Sequence, residues 1–299
     1  MSLRHTLEWM LVRAMRDTLK RQSWDAARAG GERLGALVGR LGIRRRVALG
    51  NLAIAFPDLA PAAHDAILDA HYRELGRVVA EYARLGELGA SRPIPAVGEV
   101  TGFEHLERAH AGGRGAILMS GHYSNFELMA AGLGQRFPVD LVVRPLKNPR
   151  VDAWVRSERE RAGFGLISAD RGVRGVFESL RANRFVAMLA DQDARRHGVF
   201  VPFFGRPTST AIGPARIALQ RNTPIVMGFG TRRPDGRIDL SIDAPLEIER
   251  PDAEDAALRL TALHTARLEE KIRAHPAMWF WLHRRWKTSP PSEPAREAC

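Results

Sequence analysis

A histidine and a glutamate five residues apart, His122 and Glu127, are the residues of this sequence best placed for proton-transfer chemistry. A short apolar run, 115–119, ends in Ser120-Gly121 just before the histidine, and the glutamate falls in the first turn of the next predicted helix. On one continuous helix this spacing would leave the side chains about 140° apart, whereas a loop histidine and a helical glutamate can meet. The carboxylate would then accept from one ring nitrogen and raise the basicity of the other, which suits removal of a proton from an attacking hydroxyl.

The same residues also fit a purely structural interpretation. Ser124 and Glu127 have the spacing of a capping box, with Ser124 as N-cap and Glu127 at the third helical position. In that case Glu127 only satisfies backbone donors, and His122 is an ordinary loop histidine. The spacing alone leaves both interpretations open.

The elements around this motif predict an α/β fold. Short apolar runs alternate with segments of helical periodicity, which indicates a mixed, mainly parallel sheet with helices on both faces. His122 then follows a strand at its carboxyl end, where such sheets bind ligands. The predicted strands are 115–119, 139–143, 166–167, 185–189, 225–229 and, as an antiparallel strand, 237–242; the predicted helices are 61–88, 125–136, 149–162, 173–182, 211–221 and 252–275.

Residues 4–42 are predicted to form an amphipathic helical segment, with leucines and methionines at helical spacing and arginines between them. Residues 1–46 contain eleven Arg or Lys and four Asp or Glu, a local charge of about +7. A basic amphipathic helix with Trp9 near its start suits an anionic membrane surface. Packing on the protein's own core is an equally weighted alternative, and both can hold.

The composition narrows the class of protein. The chain carries 45 Lys or Arg against 34 Asp or Glu, a net charge of +11, which implies an anionic partner such as phospholipid headgroups or an acidic carrier protein. No nucleic-acid-binding motif is present, so we expect no nucleic-acid partner. The single cysteine, Cys299, excludes a disulfide framework and a cysteine metal site. No apolar run approaches about 18 residues, so we expect no transmembrane helix.

We expect three parts along the chain. Residues 1–98 form a helical, membrane-associating segment that ends in a Pro/Gly-rich connector at 91–98. Residues 99–288 form the α/β domain, and the Pro/Ser/Glu-rich tail at 289–299 is expected to be disordered. The oligomeric state is not predictable from these features.

From about Arg44 to Lys287 the chain resembles the lipid A biosynthesis late acyltransferases of the lauroyl and myristoyl type, within the lysophospholipid acyltransferase superfamily. No single motif is specific, but five blocks match in the family's order over about four-fifths of the chain. These blocks are Arg46–Asn51-Leu52–Phe56-Pro57; His122 to Glu127; Arg144-Pro145, Asn148-Pro149, Arg159 and Arg161; Asp191-Gln192-Asp193 with Val201 to Gly205 and Thr208-Ser209-Thr210; and Trp279 to Lys287.

The resemblance implies a glycerol-phosphate-acyltransferase-like fold and an enzyme in which His122 is the general base and Glu127 its orienting acid. It also implies that Arg144 and one of Arg159 or Arg161 contact a phosphorylated headgroup or the acyl carrier. For each arginine, a solvated basic helix face is the competing interpretation.

Asp191 or Asp193 is implied at the margin of the site, and the competing interpretation for each is an ion pair with Arg195 or Arg196. The implied donor is an acyl thioester, normally on acyl carrier protein and otherwise on coenzyme A, with no metal or bound organic cofactor. The implied location is peripheral, on the cytoplasmic face of the bacterial inner membrane.

The expected function is therefore transfer of a fatty acyl chain to a hydroxyl of a lipid A precursor or a similar glycolipid. Acylation of a lysophospholipid or aminolipid is the alternative within the same chemistry. A lipid ester hydrolase, in which His122 and Glu127 activate water, is less favoured, although a water nucleophile would not need the absent G-x-S-x-G motif. A non-catalytic membrane-binding protein would leave the placement of the histidine and the glutamate unexplained.

Overall fold

A computed structural model describes residues 2–88, 96–169 and 173–291 of the chain. Within these ranges, seven strands form one sheet in the order β1-β9-β8-β2-β5-β3-β4, and β6 and β7 form a separate hairpin. Every neighbouring pair in the large sheet is parallel except β8 and β9, so the predicted mixed, mainly parallel sheet is confirmed. The strands are β1 Val97–Thr101, β2 Ala116–Ser120, β3 Val139–Val143, β4 Gly165–Ser168, β5 Phe185–Leu189, β6 Val199–Phe203, β7 Arg206–Thr210, β8 Ile225–Arg232 and β9 Ile238–Ile242.

Helices cover both faces of this sheet, as strand β2 illustrates. Its side chains alternate between the two faces. Ile117 and Met119 join a core cluster with α4, α9 and α10, whereas Ala116 and Leu118 pack with α5 and α6. The helices are α1 Leu3–Lys20, α2 Trp24–Arg40, α3 Arg45–Ala55, α4 Pro61–Tyr82, α5 Phe103–Ala111, α6 Phe126–Gly134, α7 Pro149–Arg161, α8 Arg174–Arg181, α9 Gly213–Arg221 and α10 Ala256–Ala274.

The predicted N-terminal segment consists of two helices that behave differently. Helix α1 ends at Lys20, and a new helix, α2, begins after Ser23, whose side chain accepts from the backbone N–H of Ala26 as the N-cap. Helix α2 packs closely on α4, since a Cβ atom at Gly35 would lie 2.0 Å from the carbonyl oxygen of Tyr72. Helix α1 buries only Leu19 fully. It leaves Leu3, Leu7, Met10 and Leu11 each more than half exposed.

Several elements escaped the sequence analysis. Strand β1 has no apolar run, helix α3 coincides with the motif from Arg46 to Pro57, and helix α5 lies outside the predicted helices. The β6–β7 hairpin carries Pro202 opposite Pro207, which a two-stranded hairpin tolerates because both strands have a free edge. The predicted connector at 91–98 and the predicted tail at 289–299 lie mostly outside the described residues.

In the described part of the chain, no helix has both the length and the apolar character needed to cross a membrane. The same ranges hold no group of three or more His, Cys, Asp or Glu side chains placed to bind a metal ion.

Candidate active site

The register of two parallel strands brings His122 to Asp191. Strand β2 pairs with β5 so that Ser120 lies opposite Leu189. His122 and Asp191 each come two residues after that pair. The Nδ1 atom of His122 lies 2.8 Å from Oδ1 of Asp191, and its backbone N–H donates to Oδ2 over 2.7 Å. One carboxylate at the carboxyl edge of the sheet therefore holds His122 twice, through Oδ1 to the imidazole and through Oδ2 to the backbone N–H.

Asp191 is buried and serves as the acceptor at the centre of this arrangement. The indole N–H of Trp279 donates to Oδ2 over 2.9 Å. Burial by itself would raise the pKa of Asp191, but the charge of His122 and the hydrogen bonds to it and to Trp279 lower that pKa to about 2. The carboxylate is thus ionised throughout the neutral range.

The geometry sets the protonation of the histidine ring. Because ionised Asp191 can only accept, Nδ1 carries the hydrogen and Nε2 of the neutral ring is an acceptor, facing the amide nitrogen of Gln192. Burial by itself would lower the pKa of His122, but the charge of Asp191 and the hydrogen bond to it raise the pKa above its ordinary value. The His122 side chain is 32% exposed, and Nε2 lies 3.4 Å from the amide nitrogen of Gln192. Nε2 of His122 can take a proton from a bound hydroxyl.

The residues after the 3₁₀ turn at 276–278 hold the histidine loop opposite Asp191. The N–H of Phe280 donates to the carbonyl oxygen of His122 over 2.9 Å, and Tyr123 forms a β-bridge with Trp279. The phenyl rings of Phe126 and Phe280 lie 5.7 and 6.2 Å from the imidazole centroid. The ring is consequently confined on two sides by aromatic groups.

The capping-box interpretation of Ser124 and Glu127 is wrong. Asn125 is the N-cap of α6, and its side-chain oxygen accepts from the N–H of Leu128 over 3.0 Å. Ser124 has a left-handed backbone with φ of 47° and donates its hydroxyl to Glu74 instead. Glu127 therefore stands at the second helical position, and its carboxylate is free of a capping role towards Ser124.

Glu127 is held by Arg159. The guanidinium donates from Nε to Oε2 over 2.9 Å and from Nη2 to Oε1 over 2.6 Å, a bidentate pair that is largely buried. Burial by itself would lower the pKa of Arg159, but the bonds to Glu127 raise it. The charge of Glu127 also helps to raise the pKa of His122, so this carboxylate acts on the ring across space.

A buried charged cluster of Arg232, Glu74 and Glu81 lies beside the histidine loop and bonds to it. Arg232, at the end of β8, donates to Glu74 over 2.6 Å and to both oxygens of Glu81 over 2.6 and 2.9 Å. The two glutamates lie on α4 and accept from the loop, Glu74 from Ser124 over 3.1 Å and Glu81 from Asn125 over 3.0 Å. The strained turn that presents the histidine is thus tied to a helix some fifty residues earlier in the sequence.

The other predicted arginines lie in different surroundings. Arg144 is exposed on the loop after β3. Arg161 donates to the buried Glu158. Since Arg159 reaches Glu127, the structure distinguishes the two arginines of α7: Arg159 faces the histidine side, and Arg161 faces Glu158.

Asp193, two residues beyond Asp191, does not contact the histidine ring through any hydrogen bond of the described residues. It accepts from the hydroxyl of Thr288 over 2.9 Å and from the backbone N–H of Arg195 over 3.4 Å. Its own N–H donates to Nε2 of His283 over 3.1 Å. Asp193 therefore organises the loop that carries Asp191.

No sequence motif marks the cluster of Arg232, Glu74 and Glu81, nor the bond from Trp279 to Asp191. One signal was available for Asp191, because it stands two residues beyond the predicted strand 185–189, and His122 stands three residues beyond the predicted strand 115–119. No sequence pattern pairs Arg232 with glutamates more than 150 positions away.

Comparison with known proteins identifies the family. The family model described as bacterial lipid A biosynthesis acyltransferase matches residues 1–288. The lipid A biosynthesis lauroyltransferase of Escherichia coli K12 is 28% identical over 274 residues, covering 88% of this chain and 87% of that protein. The phosphatidylinositol mannoside acyltransferase of Mycobacterium tuberculosis H37Rv is 30% identical over 287 residues, covering 93% and 86%. A lipid A biosynthesis acyltransferase of Haemophilus influenzae is 30% identical over 253 residues, covering 83% and 78%. This chain belongs to the bacterial lipid A biosynthesis acyltransferase family and is an acyltransferase.

Proposed function

We propose that this enzyme moves a fatty acyl chain from an acyl thioester to a hydroxyl of a glycolipid, with His122 as the general base. The observation that carries the proposal is the bond between Nδ1 of His122 and the buried, ionised Asp191. That bond leaves Nε2 available for the proton of the acceptor hydroxyl and stabilises the imidazolium that forms.

In the proposed reaction, Nε2 of His122 removes the hydroxyl proton as the acceptor oxygen attacks the thioester carbonyl carbon. The new carbon–oxygen bond gives a tetrahedral intermediate with an oxyanion. Helix α6 begins at Phe126, beside the histidine, and the backbone N–H groups at its start suit a developing negative charge. The carbon–sulfur bond then breaks, and the imidazolium returns the proton to the leaving thiolate, which departs as a thiol.

Glu127 and Arg159 act as a pair in this proposal. Glu127 is the acid of the histidine motif and biases the ring towards the imidazolium through its charge. Arg159 orients that carboxylate, while exposed Arg144 is available to a phosphorylated headgroup or carrier. We propose acyl carrier protein as the donor, on the basis of the net charge of +11.

The acceptor class rests on the relatives. One group is named for lipid A biosynthesis and another for phosphatidylinositol mannoside acylation, so both names refer to glycolipids. We propose a glycolipid hydroxyl as the acceptor, with a lipid A precursor as the leading candidate.

The test is an acyl-transfer assay with the purified protein, acyl carrier protein loaded with a fatty acid, and three acceptors in parallel. These acceptors are a phosphorylated lipid A precursor, a phosphatidylinositol mannoside and a lysophospholipid. We expect mass spectrometry to show one added acyl chain on a glycolipid and none with His122→Ala. Acylation of the lysophospholipid alone would overturn the glycolipid proposal, and release of free fatty acid alone would indicate a hydrolase.

We also propose a peripheral location on the cytoplasmic face of the inner membrane. The supporting observation is the exposed apolar stripe of α1, formed by Leu3, Leu7, Met10 and Leu11. Because α2 packs on α4, removal of residues 2–20 is a cleaner test than removal of the whole predicted segment, 1–42. The truncated protein should bind anionic vesicles more weakly than the full chain, and an unchanged affinity would overturn the role of α1.

A further inference from the structure

An open groove of about 550 Å³ lies between α1 and α7. Three arginines, two tryptophans and a serine line it: Trp9, Arg16, Arg150, Trp154, Ser157 and Arg161. The residues from α7 follow one another at spacings of four, three and four, which sets them on one face of that helix. Arg159, which holds Glu127, points to the opposite face, about 160° away from Arg161. The groove is therefore separate from the histidine site.

Glu158 supplies the carboxylate at the inner end of the groove, next to Trp154 and Arg161, and its charge is already neutralised. Glu158 is buried and accepts from Lys20 and from the indole of Trp154, each over 2.9 Å, and also from Arg161. This one carboxylate faces two cations, so one positive charge is left over.

The outer end of the groove repeats this excess. Asp17 lies 2.6 Å from Arg16 and 3.7 Å from Arg13, again two cations to one carboxylate. Arg150 is exposed, and among the described residues no carboxylate lies within ion-pair distance of its guanidinium. Together the two ends and Arg150 leave three positive charges in excess, five cations against two carboxylates.

The remaining groups indicate which anion this groove suits. The guanidinium of Arg16 lies 5.7 Å from the ring centroid of Trp9, and Trp154 provides a second indole. Indole rings concentrate at the boundary between lipid headgroups and acyl chains, and arginine pairs with phosphate oxygens. Helix α1 also carries the exposed apolar stripe of Leu3, Leu7 and Met10, which lies about 100–160° around the helix from Trp9, so the stripe and the groove occupy different faces of α1.

We propose that the α1–α7 groove binds the phosphodiester headgroup of an anionic membrane phospholipid that is not a substrate of the enzyme. This inference rests on the proposed peripheral location. Arg150 and Arg16 pair with the phosphodiester, Ser157 donates a hydroxyl hydrogen bond, and the two indoles contact the glycerol backbone. A lipid bound there holds α1 against α7, whose opposite face carries Arg159 and the Glu127 contact.

The test titrates full-length protein with dihexanoyl phosphatidylglycerol below its micelle concentration, with calorimetry and tryptophan fluorescence as readouts. Dihexanoyl phosphatidylcholine and inorganic phosphate are titrated in parallel. We expect saturable binding of the phosphatidylglycerol, weaker binding of the phosphatidylcholine and much weaker binding of inorganic phosphate. Arg150→Gln should weaken phosphatidylglycerol binding about tenfold, as expected for loss of one charge-assisted hydrogen bond.

Arg174→Gln is the matched control, because Arg174 is an exposed arginine on α8 whose one ion pair within residues 2–88, 96–169 and 173–291 is with Glu178. It removes the same charge and should leave lipid binding unchanged. Absence of saturable binding, equal binding of phosphatidylcholine, equal binding of inorganic phosphate, or equal losses in the two arginine variants would each overturn the proposal.

A second pair of measurements separates this inference from the proposed function. His122→Ala should bind the phosphatidylglycerol as tightly as the unmodified protein, and Arg150→Gln should keep acyl transfer to a detergent-dispersed acceptor. Loss of lipid binding in His122→Ala would move the lipid to the catalytic site and overturn the groove assignment. Failure of acyl transfer in the unmodified protein would contradict the proposed function and leave the binding result standing.

Discussion

Asp191 and Glu127 both raise the pKa of His122, but they are held by different parts of the fold. Asp191 comes from the end of a neighbouring strand, is buried, and bonds the ring nitrogen directly. Glu127 comes from the helix that follows the histidine and accepts both of its strong bonds from Arg159. The carboxylate 69 positions away thus makes the contact that sequence spacing assigned to the carboxylate five positions away. Parallel-strand register is a stronger determinant of proximity here than closeness along the chain.

The largest expected effect comes from removing the group that both carboxylates serve. His122→Ala should lower kcat/KM for acyl transfer by about 10²–10⁴, the usual loss when a general base is removed. The fold should persist, because the ring is partly exposed and its backbone bonds to Asp191 and Phe280 remain. Circular dichroism and thermal unfolding provide the control. Near-normal turnover in a folded variant would remove His122 from the mechanism.

Asp191→Asn tests the direct contact. Loss of one hydrogen bond to a charged group costs about 1.5–3 kcal/mol, which corresponds to a fall in kcat/KM of roughly 10- to 100-fold. The base must be neutral to act, so activity falls as the pH drops through the pKa of His122. Since the charge of Asp191 raises that pKa, its removal should shift the acidic limb of the pH–rate profile to lower pH. Asp193→Asn, which alters the same loop, should leave the limb in place.

Glu127→Gln tests the contact across space. If Glu127 acts through its charge and through Arg159, kcat/KM should fall by about tenfold, less than the loss expected on removal of the base itself. The acidic limb should then shift by less than in Asp191→Asn. A loss as deep as that of His122→Ala would instead give Glu127 the orienting role that the sequence predicts.

Glu127→Gln should also lower thermal stability, because it leaves the largely buried Arg159 without its carboxylate. A cycle with Glu127→Gln, Arg159→Gln and the double variant measures this coupling. Additive losses of stability would show that the two side chains are energetically independent.

The sequence was sufficient for the sheet and insufficient for its contacts. Apolar runs such as 115–119 and 185–189 identify buried strands because a strand covered on both faces carries mainly apolar side chains. Which strands are neighbours depends on packing of the whole chain, and so does the meeting of His122 and Asp191. The ties from Glu74 and Glu81 to the histidine loop were unpredictable for the same reason, since their partner Arg232 lies on a distant strand.

The N-terminal helices show a second limit of pattern reading. One amphipathic pattern covers both α1 and α2, yet α2 packs on α4 and α1 keeps most of its apolar stripe exposed. The difference lies in small residues such as Gly31 and Gly35, which let α2 approach the backbone of α4. Hydrophobic periodicity reports that a face is apolar, and glycine spacing reports how closely that face can be approached.

The smallest expected effect concerns the donor and extends the comparison to long-range charge. Asp191 and Glu127 are buried carboxylates close to His122, so salt screens their effect on it only weakly. A carrier protein is instead attracted by the electrostatic field of the whole chain, whose net charge is +11. We expect acyl carrier protein donors to give a higher kcat/KM than acyl-coenzyme A, and this advantage should shrink several-fold between low and high salt as steering is lost.

Arg144→Gln, which removes an exposed charge near the end of β3, should reduce the advantage at low salt, while the acidic limb of the pH profile stays unchanged. Coenzyme A also carries phosphates, so the comparison depends on the larger surface of the carrier and not on the sign of charge alone. Equal or better use of acyl-coenzyme A at every salt concentration would contradict the donor proposal and favour a lysophospholipid acyltransferase.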